Sequence, residues 1–233
     1  MNRRHFIYSI LKAYFYVLVT MLLSLPIVSW IASIYNSAIN GLLAPKGIRW
    51  MCSSVADNFS AVPLAHILIG LMTLSILRKS GILLLFRRHP SLKQRRAAVV
   101  TLTAPVVLLV LFLLLLLLPH AVLLSAFGTI SHSSVAHGWY GLLAIYVIAI
   151  SNVYAYTSGS LYTLSDFLRA HTSLVVSISP YFIFLFLASQ LTACIDYTAI
   201  LPYYGLPDHV FSIVSHILYY LPLALLLLLH GER

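Results

Sequence analysis

Six polar side chains interrupt an otherwise oily chain at positions where chemistry could be done: Asn58, His66, Asn152, Ser189, Gln190 and Asp196. Amide and hydroxyl groups at membrane depth can coordinate a polar solute or an ion. His66 could also pass protons, since a neutral imidazole titrates near physiological pH. In AISNVYAYTSGS, Asn152, Tyr156 and Ser160 recur at i, i+4 and i+8, one face of a helix. SISPYFIFLFLASQLTACIDYT carries Ser179, Pro180, Ser189 and Gln190 within one apolar run. The same residues would equally serve as hydrogen bonds between helices, worth about 0.6 kcal/mol each on average. A solute path and helix-to-helix bonding are both open at this point.

Other chemistries find no support in the residue patterns. His120, His132 and His137 surround one loop, but their spacing fits no zinc pattern and no cysteine or acid stands near them. There is no H-E-x-x-H and no G-x-S-x-G, YTSGS has no histidine base placed with it, and no glycine loop cradles phosphate. The expectation is a protein that is not an enzyme and needs no metal or organic cofactor. The five acids, Asp57, Asp166, Asp196, Asp208 and Glu232, all fall at edges of runs or in loops. That argues against a pump built on a midplane carboxylate, because a charge at the bilayer centre is costly and kept for function. It also removes the usual hard ligand for a sodium ion. Cys52 and Cys194 are expected to be separate thiols.

The elements that position these residues must be membrane helices. The 233 residues are 61% hydrophobic and 8% charged, more apolar surface than a soluble core could absorb. A spanning helix needs about 20 apolar residues. Six runs approach that length, near 13–34, 60–77, 97–118, 138–156, 173–195 and 210–229, and the whole chain is expected to be one transmembrane domain, 1–233. Outer-membrane strands would alternate apolar and polar residues, and LFLLLLLLPHAVLLSAF does not. Arg3 and Arg4, the group from Arg78 to Arg96, Arg169 and Arg233 fall on one side of a six-span layout, with Lys46 and Arg49 in loops on the other. The positive-inside rule then sets both termini in the cytoplasm. The net charge of +9 is accounted for by that topology and by anionic headgroups, with no nucleic acid partner. The first run is too long for a signal-peptide core and is expected to stay as an anchor. The leucine-rich third run has no side chain to offer a solute and reads as lipid-facing. Pro26, Pro63, Pro180 and Pro222 interrupt the other runs, and each frees a carbonyl that needs another partner. At the entry to the second run, Asn58 is expected to cap the helix and Asp57 to favour its positive end.

Two segments resemble the AbgT family, the p-aminobenzoyl-glutamate transporters. Residues 41–83 match on Gly47-Ile48-Arg49-Trp50, Asn58-Phe59, Pro63-Leu64 and Lys79-Ser80-Gly81, with Arg78 in place of a usual glutamate. ASQLTACIDYTAIL, residues 188–201, is similar to the family's A-A-Q-F-x-x-x-F-N-W-[ST]-N-L-G. Ala188 and Gln190 match there. Asp196, Tyr197 and Thr198 stand at the asparagine, tryptophan and hydroxyl positions, and Ala199 and Leu201 depart from asparagine and glycine. The chain is half the length of such proteins and lacks the polar re-entrant hairpins that line their path, so it looks like a reduced relative. The resemblance implies a homodimer in the bacterial inner membrane. It also implies secondary transport of small anionic or aromatic amide solutes, such as p-aminobenzoyl-glutamate, or antimetabolite export, coupled to an ion. The alternative is a non-transporting scaffold or partner subunit descended from such a transporter.

Overall fold

The computed structural model describes residues 3–86, 92–117 and 133–231. Arg87, Arg88, His120, His132 and Arg233 lie outside the described residues, as does the side chain of His137. In chain order the helices are α1 (Arg3–Tyr35), α2 (Pro45–Ser53), α3 (Val55–Ser60), α4 (Leu64–Lys79), α5 (Leu92–Thr101), α6 (Thr103–Leu117), α7 (Ser134–Ser158), α8 (Leu164–Ser177), α9 (Tyr181–Thr198), α10 (Ile200–Tyr203) and α11 (Asp208–Gly231). A short 3-10 turn, Ile82–Phe86, follows α4. Among the described residues there are no strands. Among the described residues five segments are long and apolar enough to cross a membrane: Arg4–Tyr35, Leu92–Leu114, Gly138–Ser158, Tyr181–Thr198 and Asp208–Gly231. Such a set belongs to an all-helical, multi-pass membrane protein.

Three of the expected runs are not single helices; the third, 97–118, is interrupted at Leu102, between α5 and α6. The second breaks between Ser60 and Leu64. Pro63 has no N–H and disfavours helical backbone in the residue before it, so α3 ends and α4 starts afresh. With 16 residues α4 is about 24 Å long, short of a bilayer core of ~30 Å. Asn58 therefore does not cap the second span; it lies inside α3, with Asp57 in that helix's first turn. The fifth run, 173–195, breaks between Ser177 and Tyr181, where Pro180 ends α8 and stands at the N-cap of α9.

The chain divides into two compact units, residues up to Pro63 with those from Ile178 onward, and Leu64–Ser177. Both crossings of the chain between them fall beside a proline, Pro63 and Pro180.

In the first unit α9 is the hub, packed by α1, α3 and α11. Ile7, Leu11, Tyr14, Leu18, Leu22 and Leu25 form one stripe of α1 at spacings of three or four, and they meet α9 and α11 residues such as Leu191, Leu187 and Leu225. The opposite faces of α1 leave Val17, Leu23, Ile27 and Ile34 more than half exposed. In water that would be a liability; in a bilayer it is the lipid-solvated side. Pro222 removes the N–H that would bond the Leu218 carbonyl, and the Tyr14 hydroxyl donates to that carbonyl at 2.6 Å. The proline's orphan is thus satisfied by a neighbouring helix, as lipid demands. The α1–α2 loop closes the end of α9: the Asn40 N–H donates to the Thr198 carbonyl at 3.0 Å, and its side-chain amide to the Tyr197 carbonyl at 2.9 Å. Gly47 in α2 lies directly on the backbone carbonyls of Gly41 and Leu42, where a Cβ would have no room.

In the second unit α4 packs on α7 and α8, and α5 on α7. Two of its serines reach a neighbouring element. Ser75 donates to the Ala170 carbonyl at 2.5 Å and lies 2.8 Å from the Ser173 hydroxyl. Ser160 donates to the Ser80 carbonyl at 3.1 Å. Ile76, Ala155, Leu161 and Ala170 form the apolar seam beside them. Gly159, with φ of 75°, ends α7 in the left-handed region that glycine enters freely. Ser160 consequently leaves the face that Asn152 and Tyr156 share.

Candidate functional site

A cavity of 570 Å³ opens in the first unit. That size suits a small organic solute. One wall is a stripe of α9, Ser189, Thr192, Ala193, Asp196 and Tyr197, at i, i+3, i+4, i+7 and i+8. Phe211, Ser215 and Tyr219 supply the facing wall from α11 at i, i+4 and i+8. Trp50, Asp57, Asn58 and Ala61, from α2 to the end of α3, complete it. From Ser189 to Asp196 the α9 stripe runs about 10 Å along the helix axis.

Each wall is fixed by identifiable bonds. Gln190 ties α3 to α9: its amide donates to the Val55 carbonyl at 3.0 Å, and its Oε1 accepts from Asn58 Nδ2 at 3.1 Å. Phe59 meets Phe186 edge-on below it. Trp50 and Tyr197 stack with ring centroids 4.3 Å apart and planes 18° from parallel. The Ser189, Thr192 and Ser215 hydroxyls donate to carbonyls of their own helices, at Phe186, Ala188 and Phe211. With the Thr192 proton so placed, Tyr219 OH donates to Thr192 Oγ1 at 2.6 Å. Asp57 and Asp196 are the charged lining residues, and both are exposed to the opening.

Of the six residues singled out in the sequence, Asn58, Ser189 and Asp196 line this cavity, and Gln190 braces its wall. His66 and Asn152 belong to the second unit and are not among the lining residues. The His66 carbonyl accepts from Tyr140 OH at 3.0 Å and its ring lies 5.4 Å from the Tyr140 ring, so its contacts are those of α4–α7 packing. Asn152 Nδ2 lies 3.3 Å from His171 Nε2, while His171 Nδ1 lies 2.8 Å from the Phe167 carbonyl. The Nδ1–H tautomer of His171 satisfies both contacts. Trp50, Thr192, Tyr197, Phe211, Ser215 and Tyr219 were not singled out as site residues. The i, i+4, i+8 test applied to the fourth run would have found Phe211, Ser215 and Tyr219 on the sixth. Trp50 is brought to the site by α2, which packs through Gly47 on the Gly41–Leu42 backbone, and carries no such signal.

Cys52 and Cys194 are both free thiols. Among the described residues no three His, Cys, Asp or Glu side chains converge to hold a metal ion. The groups that the described lining offers a bound molecule are three aliphatic hydroxyls, two carboxylates, one amide and four aromatic rings. No protein-family model, curated protein or solved structure matches the chain.

Proposed function

We propose that the protein is a transporter-like membrane protein whose first-unit cavity receives a small aromatic solute for secondary transport. The observation that carries this reading is the meeting of the two segments that resemble the AbgT family. Asn58 bonds Gln190, Trp50 stacks on Tyr197, and Asn40 bonds the end of α9, so residues more than 130 positions apart form one wall. Ala199 adds a further support: its φ of 55° is a left-handed conformation, and the resembled motif carries asparagine there, the residue that tolerates it best after glycine. In this reading α4 completes six crossings, both termini are cytoplasmic, and the cavity opens on the outer side. The membrane is the bacterial inner membrane, with a coupling ion and a second copy of the chain as partners. The resemblance supplies p-aminobenzoyl-glutamate as the first solute to try.

The experiment is uptake into proteoliposomes of labelled p-aminobenzoyl-glutamate and a panel of aromatic solutes of each charge, under proton and sodium gradients. Gradient-dependent flux that Ala193→Trp abolishes, with the protein still folded, is the expected result. No flux of any solute under either gradient sinks the transport reading. The scaffold reading then takes its place. The mutual commitment of Asn58 and Gln190 favours it, since those amides hold helices together.

A further inference from the structure

We infer that the first-unit cavity selects an organic cation bearing an aromatic ring, not an anion. The inference rests on the reading of this cavity as a solute site. It departs from the anionic solutes that the resemblance implies.

Three independent features agree. The first is charge. Asp57 and Asp196 line the cavity, no lysine, arginine or histidine does, and neither carboxylate has a side-chain hydrogen bond or ion pair among the described residues. Lys46 and Arg49, on the same helix as Trp50, are not part of the lining. An entering anion would meet the uncompensated negative charge of two exposed carboxylates.

The second is the direction of the hydrogen bonds. The protons of Ser189, Thr192 and Ser215 are committed to the helix carbonyls of Phe186, Ala188 and Phe211. The Tyr219 proton is committed to Thr192. These hydroxyls therefore offer the cavity acceptor oxygens, that of Ser189 shared with Gln190 Nε2 at 3.4 Å, and the donors of the lining include the Asn58 amide and the Trp50 indole N–H. Recognition of a solute carboxylate requires donors; the acceptor oxygens of α9 and α11 suit an ammonium or amidinium group, which brings its own N–H donors.

The third is the aromatic wall. Trp50 and Tyr197, which stack on each other, and Phe211 and Tyr219 on α11 line the same cavity as the two carboxylates. Aromatic rings attract cations and apolar rings alike. The cavity thus combines an aromatic lining with negative charge, the complement of a ring carrying a positive charge.

The test uses the purified full chain in neutral detergent and three probes of nearly one shape: benzamidine, benzamide and benzoate. Binding is measured by isothermal titration calorimetry at low ionic strength. The expected order is benzamidine, then benzamide, then benzoate, with at least tenfold between the first and last. In Asp57→Asn/Asp196→Asn the order should collapse to within about threefold. The wild-type series needs no variant, so misfolding of the double substitution does not remove the test. Ala193→Trp should abolish binding of all three and so separates the cavity from the micelle. Benzoate binding as tightly as benzamidine, or an order unchanged by the double substitution, overturns the inference. Binding and flux also separate the two claims. Cation binding without any flux sinks transport alone, while flux of p-aminobenzoyl-glutamate with no preference for benzamidine sinks cation selectivity alone.

Discussion

The two units set the same kinds of polar residue in different surroundings. In the second unit, Ser75 of α4 bonds the Ala170 carbonyl of α8 and Ser160 bonds the Ser80 carbonyl, while Thr73, Thr157 and Thr172 bond within their own helices. Polar atoms left over there, Ser151 Oγ, Asn152 Oδ1 and Tyr154 OH, are buried without a partner among the described residues. In the first unit Ser189 and Ser215 bond within their own helices and Tyr219 pairs with Thr192 across α9 and α11, and these residues line an open cavity whose two carboxylates have no side-chain partner among the described residues. A polar side chain inside an apolar run therefore does not announce its role. The role depends on whether it faces a packed neighbour or an open cavity.

The sharpest way to break the first unit is at Gly47. A Cβ there would press on the backbone of Gly41 and Leu42, which cannot rotate away. Overpacking usually costs about 1–3 kcal/mol and more where nothing yields. Gly47→Ala is expected at or beyond the upper end, read by SDS titration in mixed micelles, with loss of the Trp50–Tyr197 stack and of solute binding.

Next comes a matched pair. Gln190→Ala strands Asn58 Nδ2 and the Val55 carbonyl, and Ser75→Ala strands the Ala170 carbonyl. Ser75→Ala should cost roughly 1–3 kcal/mol, the penalty of an unmet buried group, and Gln190→Ala, whose partners are exposed or half-buried, about 0.5–1.5 kcal/mol. They should differ in binding. Gln190→Ala frees α3 from α9 and should weaken solute binding severalfold; Ser75→Ala should leave it unchanged. Equal effects on binding would erase the distinction between the units.

How far this was legible in the sequence follows from the same contrast. The helical class and its apolar runs could be read directly, because lipid leaves the backbone few other forms. Ser189 could be read as a site residue because it is polar within an apolar run, and Asp196 because it stands at the asparagine of the resembled motif. His66 and Asn152 are equivalent to them in the sequence, and nothing local reveals that Tyr140 and His171 stand opposite them. Pro180 could be read as a kink within a run, whereas it ends one helix and begins another. Trp50 depends on the close packing of Gly47 in α2 on the Gly41–Leu42 backbone, which no periodicity carries.

Smaller effects sharpen the picture. Ala199 holds a left-handed conformation that costs a side-chain-bearing residue about 1–2 kcal/mol. Ala199→Gly should therefore stabilise the first unit by about 1 kcal/mol, part of the relief being offset by the glycine's greater unfolded freedom. The second unit has a pH-dependent end. The Thr163 hydroxyl, with the N–H groups of Thr163 and Tyr162, holds the Asp166 carboxyl below its ordinary value of 3.8. A depressed carboxylate contributes stability above its unfolded pKa and loses it as pH falls through the folded one. Between pH 5 and about pH 2 the wild type should lose slightly more stability than Asp166→Asn, and at pH 7 it should be the more stable of the two.

The most direct measurement is thiol accessibility in the membrane. With Cys52 and Cys194 replaced by alanine, single cysteines are introduced at Ala193, on the cavity wall, and at Ser151, in the helix packing of the second unit. A small, membrane-impermeant methanethiosulfonate reagent should label Ala193→Cys readily, benzamidine should slow that labelling, and Ser151→Cys should stay unreactive in the folded protein. An inert thiol at 193, or one at 151 that reacts as fast, would contradict the account.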